Sequence, residues 1–293
     1  MKRIIIAALV LLTALCFTAT ALAGGHGHKK EMKKGILLVA FGTSIPEAQV
    51  AFANIERMVK TAYPDIPVRW AYTSKIIRHK LAKEEGKILD SPEVALAKMM
   101  EEDFTHVAVQ SLHTIGGIEY HELRRNAHAF TNMAGGMERV IVGYPLLATQ
   151  KDLERVVDAM MAHIPADRQP EDAVVLMGHG THHPSNAFYA AMMFHFQQKD
   201  PNIFVGTVEG DPEIDQIKAM LLAKGIKKAY LMPFMSVAGD HARNDMAGPE
   251  EDSWKSILAA AGIECVTVMK GTAEYDDIVQ IWVDHLGAAV SHF

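Results

Sequence analysis

Two imidazoles and two carboxylates stand where an α/β chain would gather them: His179, His241, Glu209 and Glu119. His179 lies in Leu176-Met177-Gly178-His179-Gly180-Thr181-His182-His183-Pro184, an apolar run that enters a glycine turn. Glu209 ends the stretch Gly206-Thr207-Val208-Glu209, and His241 follows Ser236-Val237-Ala238-Gly239-Asp240. Imidazole nitrogen combined with carboxylate oxygen is a borderline donor set, suited to Fe, Co, Ni or Zn rather than to Ca or Mg. With His179, Glu209 and His241 as metal ligands, coordination positions stay open. Neutral imidazole, with a reference pKa of about 6.5, can also serve as a base. A single loop histidine is more often a capping or solvated residue, but matched positions on neighbouring strand ends favour a site.

Those matched positions come from an internal repeat. Leu38-Val39-Ala40-Phe41-Gly42-Thr43-Ser44-Ile45-Pro46 repeats the His179 turn 138 residues earlier, with Leu, Gly, Thr and Pro in register and Phe41 where His179 stands. At an offset of 122, Thr114-Ile115-Gly116-Gly117-Ile118-Glu119 aligns with the His241 loop and sets Glu119 opposite His241. The chain is therefore a duplicated unit with its chemistry concentrated in the second copy.

The elements that must position these groups alternate strand and helix, the pattern of a parallel sheet flanked by helices. Strands are predicted at Gly35–Phe41, Pro67–Thr73, His106–Leu112 and Arg139–Tyr144, then at Ala173–His179, Ile203–Val208, Ala229–Phe234 and Glu264–Met269. The fold class expected is α/β: two similar domains, each a parallel sheet of about four strands, with a cleft between them. An N-terminal domain over 35–160 and a C-terminal domain over 161–293 follow, divided in the helix Gln150–His163 or the polar loop Pro165–Asp172. Ligands of open parallel sheets bind beyond the carboxyl ends of the strands, which is where all four groups fall.

Lys2 and Arg3, an apolar run from Ile4 and the small residues Ala21-Leu22-Ala23 read as a cleaved signal peptide over residues 1–23, and hence as a periplasmic protein. A retained membrane anchor would need about 20 apolar residues and no processing signal, so no stable membrane insertion is expected after cleavage. A lipoprotein start at Cys16 is disfavoured by the bulky Leu15 before it. Residues 24–34, with His26 and His28, form a flexible leader. Cys265 is then the single cysteine, so no internal disulfide is available and the core alone must hold the fold. Without Lys2 and Arg3 the 29 basic residues become 27 against 35 acidic ones, a net charge near −8, which argues against a nucleic-acid partner. An anionic ligand would instead need local basic groups, either Lys75, Arg78, His79 and Lys80 or Arg124 and Arg125. No Gly-x-x-x-x-Gly-Lys loop is present, so no nucleotide is expected.

Taken together, Leu37–Ser44, Ala71–Arg78, Met177–Pro184, Gly206–Gly210 and Leu231–His241 resemble the single-subunit sirohydrochlorin cobaltochelatases of anaerobic cobalamin synthesis, relatives of protoporphyrin ferrochelatase. The resemblance covers essentially the whole mature chain. It implies a flat tetrapyrrole held between two α/β domains and a divalent metal, Co2+ or Fe2+, as a substrate. His179 and His241 would act as metal-binding and proton-accepting groups, with Glu209 and Glu119 completing the site. It further implies substrate contacts from Phe41, Ser74, Lys75, Arg78, Thr181 and Arg243. The basic members of that set would meet the ring's peripheral carboxylates, a contact that salt should weaken. The exported start departs from the cytoplasmic place of such enzymes and leaves open an exported carrier of metal or tetrapyrrole on the same fold. His121 and His128, seven residues apart on one helical face, are an accessory ligand candidate in His121 and otherwise a solvated face. A homo-oligomer is compatible with all of this.

Overall fold

The computed structural model describes residues 31–293, and Met32–Phe293 form one compact unit. The expected signal peptide, and His26 and His28, lie outside the described residues. Strands β1 (Lys34–Ala40), β2 (Val68–Tyr72), β3 (His106–Ser111) and β4 (Arg139–Gly143) make a parallel sheet in the order β2-β1-β3-β4. Strands β5 (Ala173–Gly180), β6 (Ile203–Glu209), β7 (Lys228–Pro233) and β8 (Glu264–Thr267) make a second, in the order β6-β5-β7-β8. The two orders are equivalent, as a duplicated unit requires, and all eight expected strands lie within two residues of their expected ends.

Helices α1 (Val50–Ala62), α2 (Lys75–Glu85), α3 (Pro92–Glu101), α4 (Ile118–Asn132) and α5 (Gln150–Ala162) belong to the first half of the chain. The second half contributes α6 (Ala187–Gln197), α7 (Ile214–Ala223), α8 (Trp254–Ala260) and α9 (Asp276–Val290). Several begin on side-chain caps. The Ser74 and Ser91 hydroxyls accept from Ile77 and Val94 N–H, and Thr149 with Asp152 forms a capping box for α5.

Both sheets are covered on both faces, which explains the unbroken apolar runs of their strands. In β1, Leu37 and Val39 point into a core of the first half, while Ile36, Leu38 and Ala40 point the other way. In β5, Val175 and Met177 pack into a core of the second half, whereas Val174 and Leu176 join the cluster that holds Ile36 and Leu38. That shared cluster runs through α9. After β8 the chain returns to the first sheet, where α9 packs against β3, β4, α1 and α5 and buries Trp282 completely. Among the described residues no helix is long and apolar enough to cross a membrane.

Candidate functional site

The turn after β5 is shaped by two close approaches. Gly180 has φ +82°, and a Cβ there would lie 1.9 Å from the Glu209 carbonyl oxygen, so only glycine lets the tips of β5 and β6 lie side by side. Gly180 pairs with Glu209 in the ladder, which places Glu209 next to the His179 turn. Tyr189, buried beneath Gly178, hydrogen-bonds the backbone at His179 and Gly180; burial pushes its hydroxyl up to about 12, so it stays neutral. The duplicated turn after β1 has the same design, with Gly42 at φ +105°. The Thr43 hydroxyl accepts from Ile45 N–H at 3.1 Å, just as Thr181 accepts from His183 N–H at 3.1 Å.

The loops of the two halves meet reciprocally at their strand ends. Gly239, after β7, lies against Thr43 after β1, and Ser185, after β5, lies against Gly117 after β3. Within the second half, the ends of the adjacent strands β5 and β7 bring His179 and His241 together: their ring centroids are 4.7 Å apart and the planes are perpendicular. Each ring's tautomer follows from its partner. His179 Nδ1 is 3.1 Å from the Gly180 carbonyl and His241 Nδ1 is 2.6 Å from Asp245 Oδ2, both acceptors, so each Nδ1 carries the hydrogen. Both Nε2 lone pairs are then left for a cation or a proton. The Phe41 ring stands 6.4 Å from His179 and is 44% exposed, an apolar surface beside the imidazoles.

The carboxylates are less tightly gathered. Glu209 is exposed, and among the described residues no three His, Cys, Asp or Glu side chains are already grouped to hold a metal. Glu119, in the first turn of α4, sits with Oε2 3.1 Å from His113 Nε2. It also lines a pocket of about 230 Å³ with Thr73, Arg78, Glu93, Glu122 and Asn126. In that pocket burial raises the Glu93 carboxyl, but hydrogen bonds from Asn126, its own backbone and Ser91, with Arg78 nearby, bring it below the usual range.

The other expected contacts divide by what their side chains already do. Ser74 is almost fully buried and its hydroxyl caps α2, and Arg78 donates to the Tyr72 and Thr73 carbonyls, so both are partly committed to the end of β2. Thr181 supports its own turn. Lys75 is exposed, and Arg243 reaches across the halves to within 3.6 Å of Glu47 while its Nε is buried without a hydrogen-bond partner. The His121 ring is 5.4 Å from the His183 ring, and His121 and His128 line a separate groove with Arg124 and Arg125. Cys265 is a free thiol.

Sequence reasoning missed three of these groups: Asp245, His113 and His183 as a ring neighbour of His121. Asp245 had a readable signal, four residues beyond His241 in the π-helical turn Ala242–Met246. His113 had none, because six residues and a change from strand to helix separate it from Glu119.

The chain matches the family described as cobalt chelatase (CbiK) over residues 34–291. It is 46% identical over 264 residues to the sirohydrochlorin cobaltochelatase CbiKC of Nitratidesulfovibrio vulgaris, covering 90% of this chain and 93% of that protein. It is 36% identical over 261 residues to the sirohydrochlorin cobaltochelatase of Salmonella typhimurium, covering 89% and 97%. In fold it is similar to SirB from Bacillus subtilis with Fe3+, at a TM-score of 0.58 and 16% identity, covering 89% of this chain and 97% of that one.

Proposed function

The chain belongs to the CbiK cobalt chelatase family, and from that premise we propose that it inserts a divalent metal, Co2+ before Fe2+, into sirohydrochlorin without a nucleotide. The observation that carries the reading is the pair His179 and His241, brought 4.7 Å apart by loops of one half with both Nε2 lone pairs unused.

Insertion exchanges a dication for the two pyrrole N–H protons. A cation held by two imidazoles and an exposed carboxylate, with open positions, is bound loosely enough to be given up. As the metal leaves Nε2 for a ring nitrogen, that Nε2 lone pair is freed and can take a proton in return. His241 gains most from this, because the Asp245 carboxylate stabilises the imidazolium that forms. Glu209 draws the cation to the β5–β6 tip, and Glu119 takes a proton on the side of the first half. Phe41 supports a face of the ring, while Lys75 and Arg243 meet its carboxylates, with Ser74, Arg78 and Thr181 shaping the loops that present them. His121, outside this cleft, is an accessory contact only.

The expected signal peptide makes the proposed place of action the periplasm and, with the fifteen histidines and the His-rich leader, supports the carrier reading. Turnover separates the two. Purified protein incubated anaerobically with excess sirohydrochlorin and Co2+, without ATP, should form cobalt-sirohydrochlorin well beyond one equivalent at a rate proportional to protein. A single stoichiometric uptake would favour the carrier.

A further inference from the structure

His113 is a buried imidazole that the reaction as described above does not use. It follows β3, and its side chain is 11% exposed. Its Nδ1 lies 2.8 Å from the hydroxyl of the fully buried Ser111, and its Nε2 lies 3.1 Å from Glu119 Oε2, yet Nε2 has no aligned hydrogen-bond partner. A buried polar nitrogen left in this state calls for an explanation. The tautomer supplies part of it: if the Ser111 hydroxyl donates to Nδ1, Nε2 carries the hydrogen and can only donate toward the carboxylate. The opposite tautomer would set a lone pair against an anion.

The repeat supplies the rest. Glu119 and His241 occupy equivalent positions of the two halves, and each has a partner of the opposite kind behind it, His113 for Glu119 and Asp245 for His241. Resting on the insertion reading, we propose that His113 is the positioning residue of Glu119, so that the cleft holds two inverted imidazole–carboxylate pairs, each receiving one pyrrole proton. In the second half the imidazole faces the ring and the carboxylate stands behind it; in the first half the order is reversed. At Glu119 the pyrrole N–H bond breaks and an O–H bond forms on the carboxylate. The electron pair stays on the pyrrole nitrogen and passes to the entering metal. The proton then leaves to water in the adjoining pocket beside Glu122. His113 keeps its own hydrogen throughout and aims the carboxylate, a hydrogen bond that tightens once the ring is in place.

The test is a double-mutant cycle in the full-length protein, measuring cobalt insertion into sirohydrochlorin. His113→Ala should lower kcat about tenfold, a typical loss for an orienting partner, while KM for Co2+ and for the ring changes less than about twofold. His113→Gln, whose side-chain amide can still donate, should recover most of the rate. In a Glu119→Gln background His113→Ala should cost nothing further. Wild-type kcat in His113→Ala would overturn the proposal, and so would an equal loss in both backgrounds, which would mark a purely structural residue. A wild-type protein with no insertion activity would overturn the chelatase reading itself, and that arm is read separately.

Discussion

Asp245 determines which nitrogen of His241 faces the cleft, because a carboxylate 2.6 Å from Nδ1 fixes the hydrogen there. Asp245→Ala should therefore reduce the insertion rate about tenfold to hundredfold while circular dichroism stays unchanged, and an unaltered rate would remove the orienting role. Cys265 behaves oppositely, as a group the fold keeps inert: burial pushes its thiol up to about 11. Alkylation by iodoacetamide at pH 8 should be slow in the native protein and fast in guanidinium, whereas equal rates would show that the thiol is not shielded. At this scale the sequence exposed the groups that end strands. His179 and His241 were readable because a glycine turn follows an apolar run, and they do meet. Ser74 was read as a substrate contact, although a serine before a helix-length segment is also a cap, and its hydroxyl is engaged as one. His113 lay beyond any periodic pattern, since its partner is set by how a strand end turns into a helix.

Gly180 shows what an element end can demand of one residue. Gly180→Ala should destabilise the protein by more than about 1 kcal/mol, because a side chain at φ +82° is strained and its Cβ would overlap the Glu209 carbonyl. The separation of the β5 and β6 tips should also lower the insertion rate. A melting temperature and rate equal to wild type would contradict this account of the turn. Elsewhere, Arg168 pairs with Asp200 and ties the loop before β5 to the start of β6. Burial raises the Asp200 carboxyl, but the hydrogen bond and charge of Arg168 outweigh it and hold the carboxyl below its usual range. A depressed carboxyl stabilises the fold fully above its unfolded pKa of about 3.9 and loses that contribution as the pH falls through the folded value. The stability gap between wild type and Asp200→Asn, measured by urea unfolding, should therefore be constant at neutral pH and shrink below about pH 4. A gap independent of pH would rule the pair out. The strands themselves were legible because a strand buried on both faces is a short apolar run bounded by turns.

The course of α9 was not legible, because a helix-length apolar segment after β8 looks the same whichever sheet it covers. It crosses to the first sheet, and Trp282 is buried in the cluster that both sheets share. Trp282→Ala should cost about 3–5 kcal/mol and lower the melting temperature by roughly 10 °C in differential scanning calorimetry. A loss under about 1 kcal/mol would mean that the cluster contributes little to holding the halves together. The duplication, by contrast, was readable: two sheets of equivalent order set Phe41 against His179, one copy offering a surface and the other the imidazoles. The central claim is that metal insertion takes place at the imidazole pair where these halves meet. It is tested most directly by comparing initial rates of cobalt-sirohydrochlorin formation, without nucleotide, for wild type, His179→Ala and His241→Ala. The account predicts that each variant stays folded and loses about a hundredfold to ten-thousandfold in rate; a variant that turns over as fast as wild type would contradict it.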